Sequence, residues 1–209
     1  MRGRFITLEG PEGAGKTVLA KQLVAELERR GREVVSTREP GGTRLGERLR
    51  SILLSQRADE GAAPIDPRAD ALLFNAARAQ LVAEVIRPAL ERGAIVVCAR
   101  FTDSTLAYQG YGAGLPVEQL RAVAAVATGG LVPDLTVLLD VPPTVGLGRK
   151  RGASRNRFEA SFDLAFHERV RAGFLALAAA EPVRFRVIDS SRPIEAVAGD
   201  VIAAVLAAL

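Results

Sequence analysis

Residues 10–17 read Gly10-Pro11-Glu12-Gly13-Ala14-Gly15-Lys16-Thr17, which fits the pattern of glycine, any four residues, Gly-Lys, and serine or threonine. The apolar residues 5–8 before this stretch indicate a strand, and apolar residues at helical spacing between 19 and 27 indicate a helix after it. Glycines between a strand and a helix let backbone N–H groups turn toward a polyphosphate, and the helix N-terminus adds the positive end of its dipole. The stretch therefore predicts a phosphate-binding loop (P-loop), in which Lys16 reaches the β- and γ-phosphates and the Thr17 hydroxyl binds Mg²⁺. A glycine-rich connection without a ligand is the alternative, and the agreement of every fixed position and both flanks argues against it.

The use of lysine supports a phosphate contact at Lys16. The chain has 28 basic residues, of which only Lys16, Lys21 and Lys150 are lysines. Arginine therefore serves almost wherever a cation suffices, whereas a lysine is kept where a compact ammonium must fit among phosphates.

Composition indicates one soluble α/β domain spanning residues 1–209. Hydrophobic residues make up 48% of the chain and charged residues 25%, which is usual for a globular protein. The only cysteine, Cys98, lies in an apolar run and is expected in the core. Since a disulfide within the chain needs two cysteines, none can form, which suits the cytoplasm. The only histidine, His167, is expected to be a surface or packing residue, so histidine triads and multi-histidine metal sites are excluded.

Charge and hydropathy give no sign of a macromolecular surface. The net charge is only +4, and the arginines are spread along the chain, so local anion sites account for them at least as well as a nucleic-acid surface does. The sequence has no signal-peptide pattern and no apolar run long enough to span a bilayer. We therefore expect neither nucleic acid nor a membrane as a partner.

Strand-like and helical segments alternate along the whole chain. The apolar runs are residues 5–8, 33–36, 95–98, 136–140 and 185–188. The helical patterns are residues 16–30, 43–54, 67–92, 117–128, 144–151, 162–180 and 193–209, with a polar loop at 56–67. This order predicts a five-stranded parallel sheet with helices on both faces, and the continuous apolar runs are typical of fully buried strands.

Several polar sequences follow directly after predicted strands. They are the phosphate loop after the first strand, residues 38–43 after the second, residues 100–104 after the third, and Asp140 at the end of the fourth. In open α/β sheets the ligand crevice lies at the carboxyl ends of the strands. The sequence therefore predicts a single active site at that edge.

An acceptor opposite the phosphate loop needs a site of its own, and the helix at 67–92 offers one. Phe74 and Arg78 are four residues apart and share a helix face. An aromatic ring beside a guanidinium can stack on a planar base and donate hydrogen bonds to its carbonyl edge. The alternative is that Phe74 simply packs in the core.

Arginines near the predicted mouth of the site suit an acceptor phosphate. Arg100 directly follows the third strand and can bind a phosphate through two donors, although a surface ion pair is an equally simple interpretation. Arg38 and Arg50 are further candidates for anion contacts. Tyr108 and Gln109 offer a ring and an amide that can contact a base; the alternative is that they only lead into the glycine-rich turn predicted at residues 110–114.

A basic segment between two helices is a candidate lid. Residues 149–157 lack apolar periodicity and contain Arg149, Lys150, Arg151, Arg155 and Arg157. A run of charges is usually a solvated face. Phosphoryl transfer, however, needs cations that arrive with closure and exclude water, which favours a lid at about residues 149–160.

Together these motifs resemble the thymidylate kinases of the bacterial type, over essentially the whole chain. The matching sequences, besides the phosphate loop with Glu12, are Thr-Arg-Glu-Pro-Gly-Gly-Thr at 37–43, Leu-Phe-Asn-Ala-Ala-Arg at 73–78, Arg-Phe-Thr-Asp-Ser-Thr-Leu-Ala-Tyr-Gln-Gly at 100–110, Pro-Asp-Leu-Thr at 133–136, Leu-Asp-Val-Pro at 139–142 and Arg-Phe-Glu at 157–159. The resemblance implies a P-loop NTPase fold and transfer of the γ-phosphoryl group of ATP to dTMP, giving dTDP. It also implies Mg²⁺, a homodimer and a cytoplasmic location.

The resemblance also implies roles for individual residues. Catalysis falls to Lys16, Arg100 and Arg155, with Arg155 supplied by the lid because the phosphate loop has no arginine. Arg151 lies by the adenine, Tyr108 lies against the sugar, and Thr17 binds the metal. The dTMP contacts fall on Glu12, Arg38, Arg50, Phe74, Arg78, Arg100, Ser104, Tyr108 and Gln109.

Ala99 departs from the pattern of this family, which has aspartate before the arginine that follows the third strand. That carboxylate helps to position Mg²⁺, so here the ion would rest on Thr17, the ATP phosphates and water, helped by Glu12 or Asp140. Smaller departures are Phe101 and Asn156. Two other functions remain open at this point: a kinase for another nucleoside monophosphate, and a weakly catalytic or purely nucleotide-binding P-loop protein.

Overall fold

Five parallel strands form one sheet in the order β2-β3-β1-β4-β5 in the computed structural model, which describes residues 2–54, 65–149, 157–158 and 162–209. The strands are β1 (Phe5–Glu9), β2 (Val34–Arg38), β3 (Ile95–Ala99), β4 (Leu135–Asp140) and β5 (Phe185–Asp189). β1 lies at the centre, paired with β3 on one side and β4 on the other. The chain changes direction across the sheet at β1, so the crevice expected at such a switch point opens beside the loop that follows this strand.

Helices cover both faces of the sheet, as predicted. They are α1 (Lys16–Arg29), α2 (Arg44–Leu54), α3 (Pro67–Leu81), α4 (Arg87–Glu91), α5 (Thr102–Thr105), α6 (Val117–Thr128), α7 (Pro143–Arg149), α8 (Leu164–Ala180) and α9 (Ile194–Leu206). A π-helical segment, Val82–Ile86, joins α3 to α4, and a second, Leu106–Gly112, continues α5. Within the described ranges, no helix has the length and apolar character needed to cross a membrane.

Side chains that alternate along the central strands pack into two hydrophobic cores, one on each face of the sheet. Ile6 and Leu8 of β1 face α1 and α9, whose apolar side chains form one cluster with those of β4. Phe5 and Val96 face the other side, where they pack with the helix that contains α3 and α4. These cores hold the ends of β1 and β3 in fixed positions, and the loops of the candidate site begin at those ends.

The edge strands differ from the prediction of fully buried runs. β1 is buried along its whole length, whereas β2 and β5 contain exposed residues, such as Arg38 and Val187. An edge strand has a neighbour on one side only, so part of its surface remains in contact with solvent. Most helix and strand ends lie within one or two residues of their predicted positions. For example, α8 starts after Asp163, whose carboxylate accepts a hydrogen bond from Phe166 N at 2.8 Å and so caps the helix.

The predicted turn at residues 110–114 is wrong in its first half, because the chain is helical through Gly112. A Cβ at Gly112 would lie 2.7 Å from the ring of Phe166 and 2.8 Å from Val170 in α8. Glycine is needed at this position because the two helical segments pack closely, not because the chain turns here. His167, in the same helix, is buried beside Phe166 and so is a packing residue.

Part of the predicted lid and most of the predicted loop at 56–67 lie outside the described residues. Arg151, Arg155 and Asn156 are among the residues that are not described. Arg149 is described and is the last residue of α7.

Candidate active site

A cavity of about 830 Å³ lies at the carboxyl edge of the sheet, and it brings most of the predicted site residues together. Its lining includes Glu12, Gly13, Ala14, Gly15, Lys16, Thr17, Arg38, Arg50, Phe74, Arg78, Arg100, Ser104, Tyr108 and Gln109, together with Ala99. Gly10, Pro11 and Asp140 do not line it. The convergence expected from the strand ends is therefore present for the loops after β1, β2 and β3, whereas Asp140 at the end of β4 does not line the cavity.

The phosphate loop is held in shape by its glycines and by Lys16. Gly13 has φ +73°, and a Cβ there would lie 2.0 Å from the backbone oxygen of Gly146, so only glycine fits. Lys16 Nζ donates to the carbonyl oxygens of Gly10 and Pro11, each at 2.8 Å. Among the described residues, no side chain caps the N-terminus of α1, where a phosphate would meet the helix dipole.

The loop after β5 supports the phosphate loop from behind. Ser190 Oγ donates to Ala14 O at 2.7 Å, and Arg149 Nη1 donates to Ser190 O at 2.9 Å and to Gly13 O at 3.3 Å. Arg149 thus joins two backbone segments at the edge of the cavity.

Arg100 lies in an unusual backbone conformation beside the phosphate loop. Its φ of +70° is the only positive value among the described non-glycine residues. Such strain persists where the surroundings fix the residue, and it concentrates at functional sites. Arg100 Nη2 donates to Glu12 Oε1 at 2.7 Å, and Nη1 donates to Ser104 Oγ at 3.2 Å and to Gly10 O at 3.4 Å. The surface ion pair left open by the sequence is wrong, because the Arg100 side chain is only 18% exposed and its partner belongs to the phosphate loop.

Tyr108 completes this cluster and affects its charge. Its ring lies 4.9 Å from the Arg100 guanidinium, and its hydroxyl donates to Glu12 Oε1 at 3.1 Å. Burial raises the pKa of Tyr108 far above its usual range, so the phenol stays neutral. Burial by itself would lower the pKa of Arg100, but the neighbouring Tyr108 and Glu12 raise it overall, so the guanidinium stays charged.

Glu9, at the end of β1, is a site residue that the sequence reasoning missed. Its carboxylate is fully buried and accepts hydrogen bonds from Phe101 N at 2.7 Å, Ser104 N at 3.2 Å and Ser104 Oγ at 2.6 Å. Burial and the nearby charge of Asp103 raise the pKa of Glu9 from 4.5 to about 7. Glu9 therefore fixes the turn that carries Arg100 and Ser104. A carboxylate closing an otherwise apolar strand is the signal that could have identified it.

Arg78 is almost wholly engaged with the protein. Its Nε and Nη2 donate to Glu39 at 2.9 and 2.7 Å, Nη1 donates to Asn75 Oδ1 at 2.8 Å, and Nη2 also donates to Phe101 O at 2.9 Å. The side chain is 1% exposed. Within the described part of the chain, one Nη1 hydrogen is the only donor of Arg78 without a protein acceptor, which leaves a single N–H for a ligand in the cavity.

Phe74 both packs and faces the cavity, so the two interpretations of its role are compatible. Its ring lies 6.1 Å from that of Phe158, and the residue joins a core cluster while it also lines the cavity. Phe158 lines the same cavity and stands 5.4 Å from Tyr108 in edge-to-face contact. Three aromatic rings therefore form an apolar wall of the cavity.

Gln109 and Arg157 meet at a second buried carboxylate that the sequence reasoning missed. Gln109 Nε2 donates to Asp70 Oδ2 at 2.9 Å, and the Arg157 guanidinium binds Asp70 Oδ1. Arg157 Nε also donates to Leu53 O at 3.0 Å. Burial raises the pKa of Asp70 above its usual value, and the charge of Arg157 opposes this rise.

Arg38 and Arg50 place two more cations on the cavity wall. Arg38 Nη2 is 3.0 Å from Glu47 Oε1, and Arg50 Nη1 donates to Pro40 O at 2.8 Å. Burial, followed by the charge of Arg38, lowers the pKa of Arg50. This mutual repulsion is relieved by an anion, so the pair suits a phosphate.

The described residues contain no group of three or more acidic, histidine or cysteine side chains that could enclose a metal ion. Both oxygens of Asp140 accept from Arg171 at 2.7 Å, so Asp140 is not a free carboxylate. The Thr17 side of the cavity still fits Mg²⁺, because Mg²⁺ with a nucleotide takes few protein oxygens and draws the other ligands from phosphates and water.

Comparison with known proteins identifies the family of this chain. The family model described as thymidylate kinase matches residues 8–201. The thymidylate kinase of Deinococcus radiodurans is 53% identical over 205 residues, covering 98% of this chain and 97% of its own. That of Solidesulfovibrio magneticus is 55% identical over 204 residues, covering 93% and 94%, and one from Bifidobacterium longum is 53% identical over 197 residues, covering 94% of each. The chain belongs to the thymidylate kinase family.

Proposed function

We propose that this member of the thymidylate kinase family binds the ATP phosphates at residues 10–17 and transfers the γ-phosphoryl group to dTMP held in the adjoining cavity, giving dTDP. The observation that carries this assignment is the position of Arg100. Its guanidinium contacts Gly10 and Glu12 of the phosphate loop and lines the cavity at the same time. An acceptor phosphate held there lies beside the donor phosphates, as direct transfer requires.

Charge neutralisation and positioning account for the reaction. Lys16 contacts the β- and γ-phosphates, and the N-terminus of α1 supports the donor through its N–H groups. Arg100 holds the acceptor phosphate, and Arg155 arrives from the lid as a further catalytic cation. Members of the family generally use Mg–ATP. Thr17 would hold the ion, which would neutralise phosphate charge.

The base and sugar of dTMP occupy the aromatic side of the cavity. Phe74 stacks on the thymine, the remaining N–H of Arg78 donates to a ring carbonyl, and Gln109 faces the base edge. Tyr108 lies against the sugar, where a 2′-hydroxyl would crowd its ring. Ser104, Arg38 and Arg50 complete the acceptor side, and Arg151 lies by the adenine.

Two further parts of the proposal concern organisation. Residues 1–209 form a single nucleoside monophosphate kinase domain with a lid at about 149–160. The protein is a homodimer. Exposed apolar side chains on α2, α3 and α6, including Ile52, Leu72 and Val126, support a protein contact on that side.

A panel of nucleoside monophosphates tests the substrate. Purified protein with ATP and Mg²⁺ is offered dTMP, dUMP, dCMP, CMP, dAMP and dGMP, and kcat/KM is measured for each. We expect dTMP to give the highest value, because one N–H of Arg78 and an apolar aromatic wall suit a methylated pyrimidine dione. A preference for a purine monophosphate or for CMP overturns the proposal and favours another kinase on the same fold.

A further inference from the structure

The side-chain amide of Gln109 is fixed by a single protein contact. Its Nε2 donates to Asp70 Oδ2 at 2.9 Å, and both residues are more than nine-tenths buried. In the described part of the chain, no group donates a hydrogen bond to Gln109 Oε1. Because Gln109 also lines the cavity, Oε1 is the acceptor of this amide that is left for a ligand, beside the second Nε2 hydrogen.

The charge state of Asp70 decides which way this amide faces. An ionised carboxylate only accepts hydrogen bonds, so it must face the NH₂ group of Gln109 and not its carbonyl oxygen. A protonated carboxyl could donate to Oε1 and would allow the reverse orientation. Arg157 binds the other oxygen of Asp70, and it is held there by Leu53 O and by its position over the Phe158 ring at 4.6 Å. Arg157 therefore holds Oδ1 of Asp70 as an acceptor, and its charge opposes the rise in the pKa of Asp70 that burial causes.

A fixed acceptor on the base side distinguishes pyrimidines by the atom at ring position 3. Thymine and uracil carry a hydrogen on N3, which can donate to Oε1. Cytosine has a bare acceptor at N3, which would meet another acceptor. A buried acceptor that is left unpaired or opposed by a like group costs binding free energy, so the amide orientation is a means of selection.

We propose that Asp70 is a positioning residue that, held by Arg157, fixes the Gln109 amide with Oε1 toward the base and so selects pyrimidine monophosphates with an N3–H group. This inference rests on the proposed function, since it assigns the base subsite to the Gln109 side of the cavity. Asp70 itself does not touch the substrate, and its effect passes entirely through Gln109.

The test compares dTMP with dCMP in the wild type, Asp70→Asn, Gln109→Ala and the double variant. Asparagine has the shape of aspartate but both donates and accepts, so it releases the Gln109 amide from a single orientation. For Asp70→Asn we expect kcat/KM for dTMP to fall about tenfold, mainly through KM, and the dTMP preference over dCMP to fall by a similar factor. KM for ATP should stay within about twofold, because the donor side is untouched. In the Gln109→Ala background, Asp70→Asn should have no further effect on the preference.

The outcomes are distinguishable from those of a merely structural role. If Asp70→Asn lowers both substrates equally, or has the same effect with Gln109 removed, Asp70 only supports the fold and the inference fails. If Asp70→Asn does not fold, as judged by thermal unfolding, Arg157→Met in the wild-type and Gln109→Ala backgrounds serves instead. We expect the same loss of dTMP preference there, dependent on Gln109. An unchanged preference in Arg157→Met rejects the inference. A wild type that does not prefer dTMP at all rejects the proposed function, and this inference with it.

Discussion

Arg100 Nη2 donates to Glu12 Oε1 at 2.7 Å, so the cation of the acceptor side is bonded to a carboxylate of the donor loop. The two residues are 88 positions apart and come from loops that follow neighbouring strands, β3 and β1. The contact fixes the distance between the two halves of the site before any substrate enters. The first prediction follows from this geometry.

Replacing Arg100 with lysine should strongly impair use of the acceptor. Arg100 donates hydrogen bonds to Glu12, Ser104 and Gly10 through separate N–H groups of its guanidinium. The single ammonium of lysine cannot make these hydrogen bonds while it also binds a phosphate. We expect kcat/KM for dTMP to fall by about 100-fold or more, equivalent to roughly 3 kcal/mol. Steady-state kinetics with dTMP varied at saturating ATP measures the loss.

The control for this variant is Arg92→Lys, at an exposed arginine that pairs with Glu33 on the surface. It should leave both substrates unaffected, since exposed ion pairs contribute little. If Arg100→Lys behaved like this control, Arg100 would have no role in holding the acceptor phosphate.

Replacing Lys16 with alanine should abolish turnover while dTMP still binds. The Lys16 ammonium donates hydrogen bonds to the carbonyl oxygens of Gly10 and Pro11, on the donor side of the cavity. We expect turnover to fall by about 1,000-fold or more, because the charge on the transferred group loses its main protein cation. Calorimetric titration with dTMP should give a Kd within about twofold of wild type.

Lys21→Ala is the matched control, because Lys21 is exposed on the same helix. Equal losses of turnover and dTMP affinity in Lys16→Ala would argue against separate donor and acceptor sites.

The sequence predicted the parts of this protein that depend on local patterns. The alternation of apolar runs and helical segments was sufficient to predict the parallel sheet. The motif at residues 10–17 was sufficient to predict the position of the phosphate loop. The pairings that shape the site were not predictable in this way. Glu9 bonds to Phe101, and Asp70 bonds to Arg157, across separations of 92 and 87 residues. No local pattern marks such a partner, because only the folded chain brings it near.

The helical segment at 106–112 shows the opposite kind of failure, in which a local pattern gave the wrong structure. Two glycines around Tyr111 suggested a turn, yet Gly112 is glycine because Phe166 and Val170 leave no room for a Cβ. Tertiary packing here overrides the local preference of glycine for turns. This matters for the site, because the same segment carries Tyr108 and Gln109.

Restoring a carboxylate at residue 99 should change the response to Mg²⁺. Ala99 lines the cavity beside Arg100 at the end of β3 and is partly exposed, so an aspartate there would not be buried. We expect Ala99→Asp to lower the Mg²⁺ concentration that gives half-maximal rate by about tenfold, roughly 1.4 kcal/mol, because it adds an oxygen ligand or a ligand for bound water. Initial rates across Mg²⁺ concentrations at fixed ATP measure this.

The asparagine of Ala99→Asn has the size of aspartate without its charge, so this variant should change the Mg²⁺ response far less. An unchanged Mg²⁺ dependence in Ala99→Asp would show that a carboxylate at this position is irrelevant in this chain.

Replacing Glu9 with glutamine should change how stability depends on pH. Burial and the charge of Asp103 raise the pKa of Glu9 to about 7 in the folded protein, from 4.5 when unfolded. Between these values the folded state binds more protons than the unfolded state, so the free energy of unfolding falls as pH rises. The stabilisation from the neutral carboxyl is fully present below pH 4.5 and is lost as pH rises through about 7, a change on the order of 3 kcal/mol.

Glutamine keeps the acceptor for Phe101 N and Ser104 N but cannot titrate, so Glu9→Gln should lack this decline. Urea unfolding of the wild type and the variant at pH 5, 6, 7 and 8 measures the difference, and the wild type should lose stability relative to Glu9→Gln over this range. Glu28→Gln, at an exposed position on α1, is the control and should follow the wild-type curve. If the free energies of unfolding of the wild type and Glu9→Gln changed in parallel with pH, the Glu9 carboxyl would not change its protonation between pH 5 and 8. It would then hold the turn that carries Arg100 as an acceptor of constant charge.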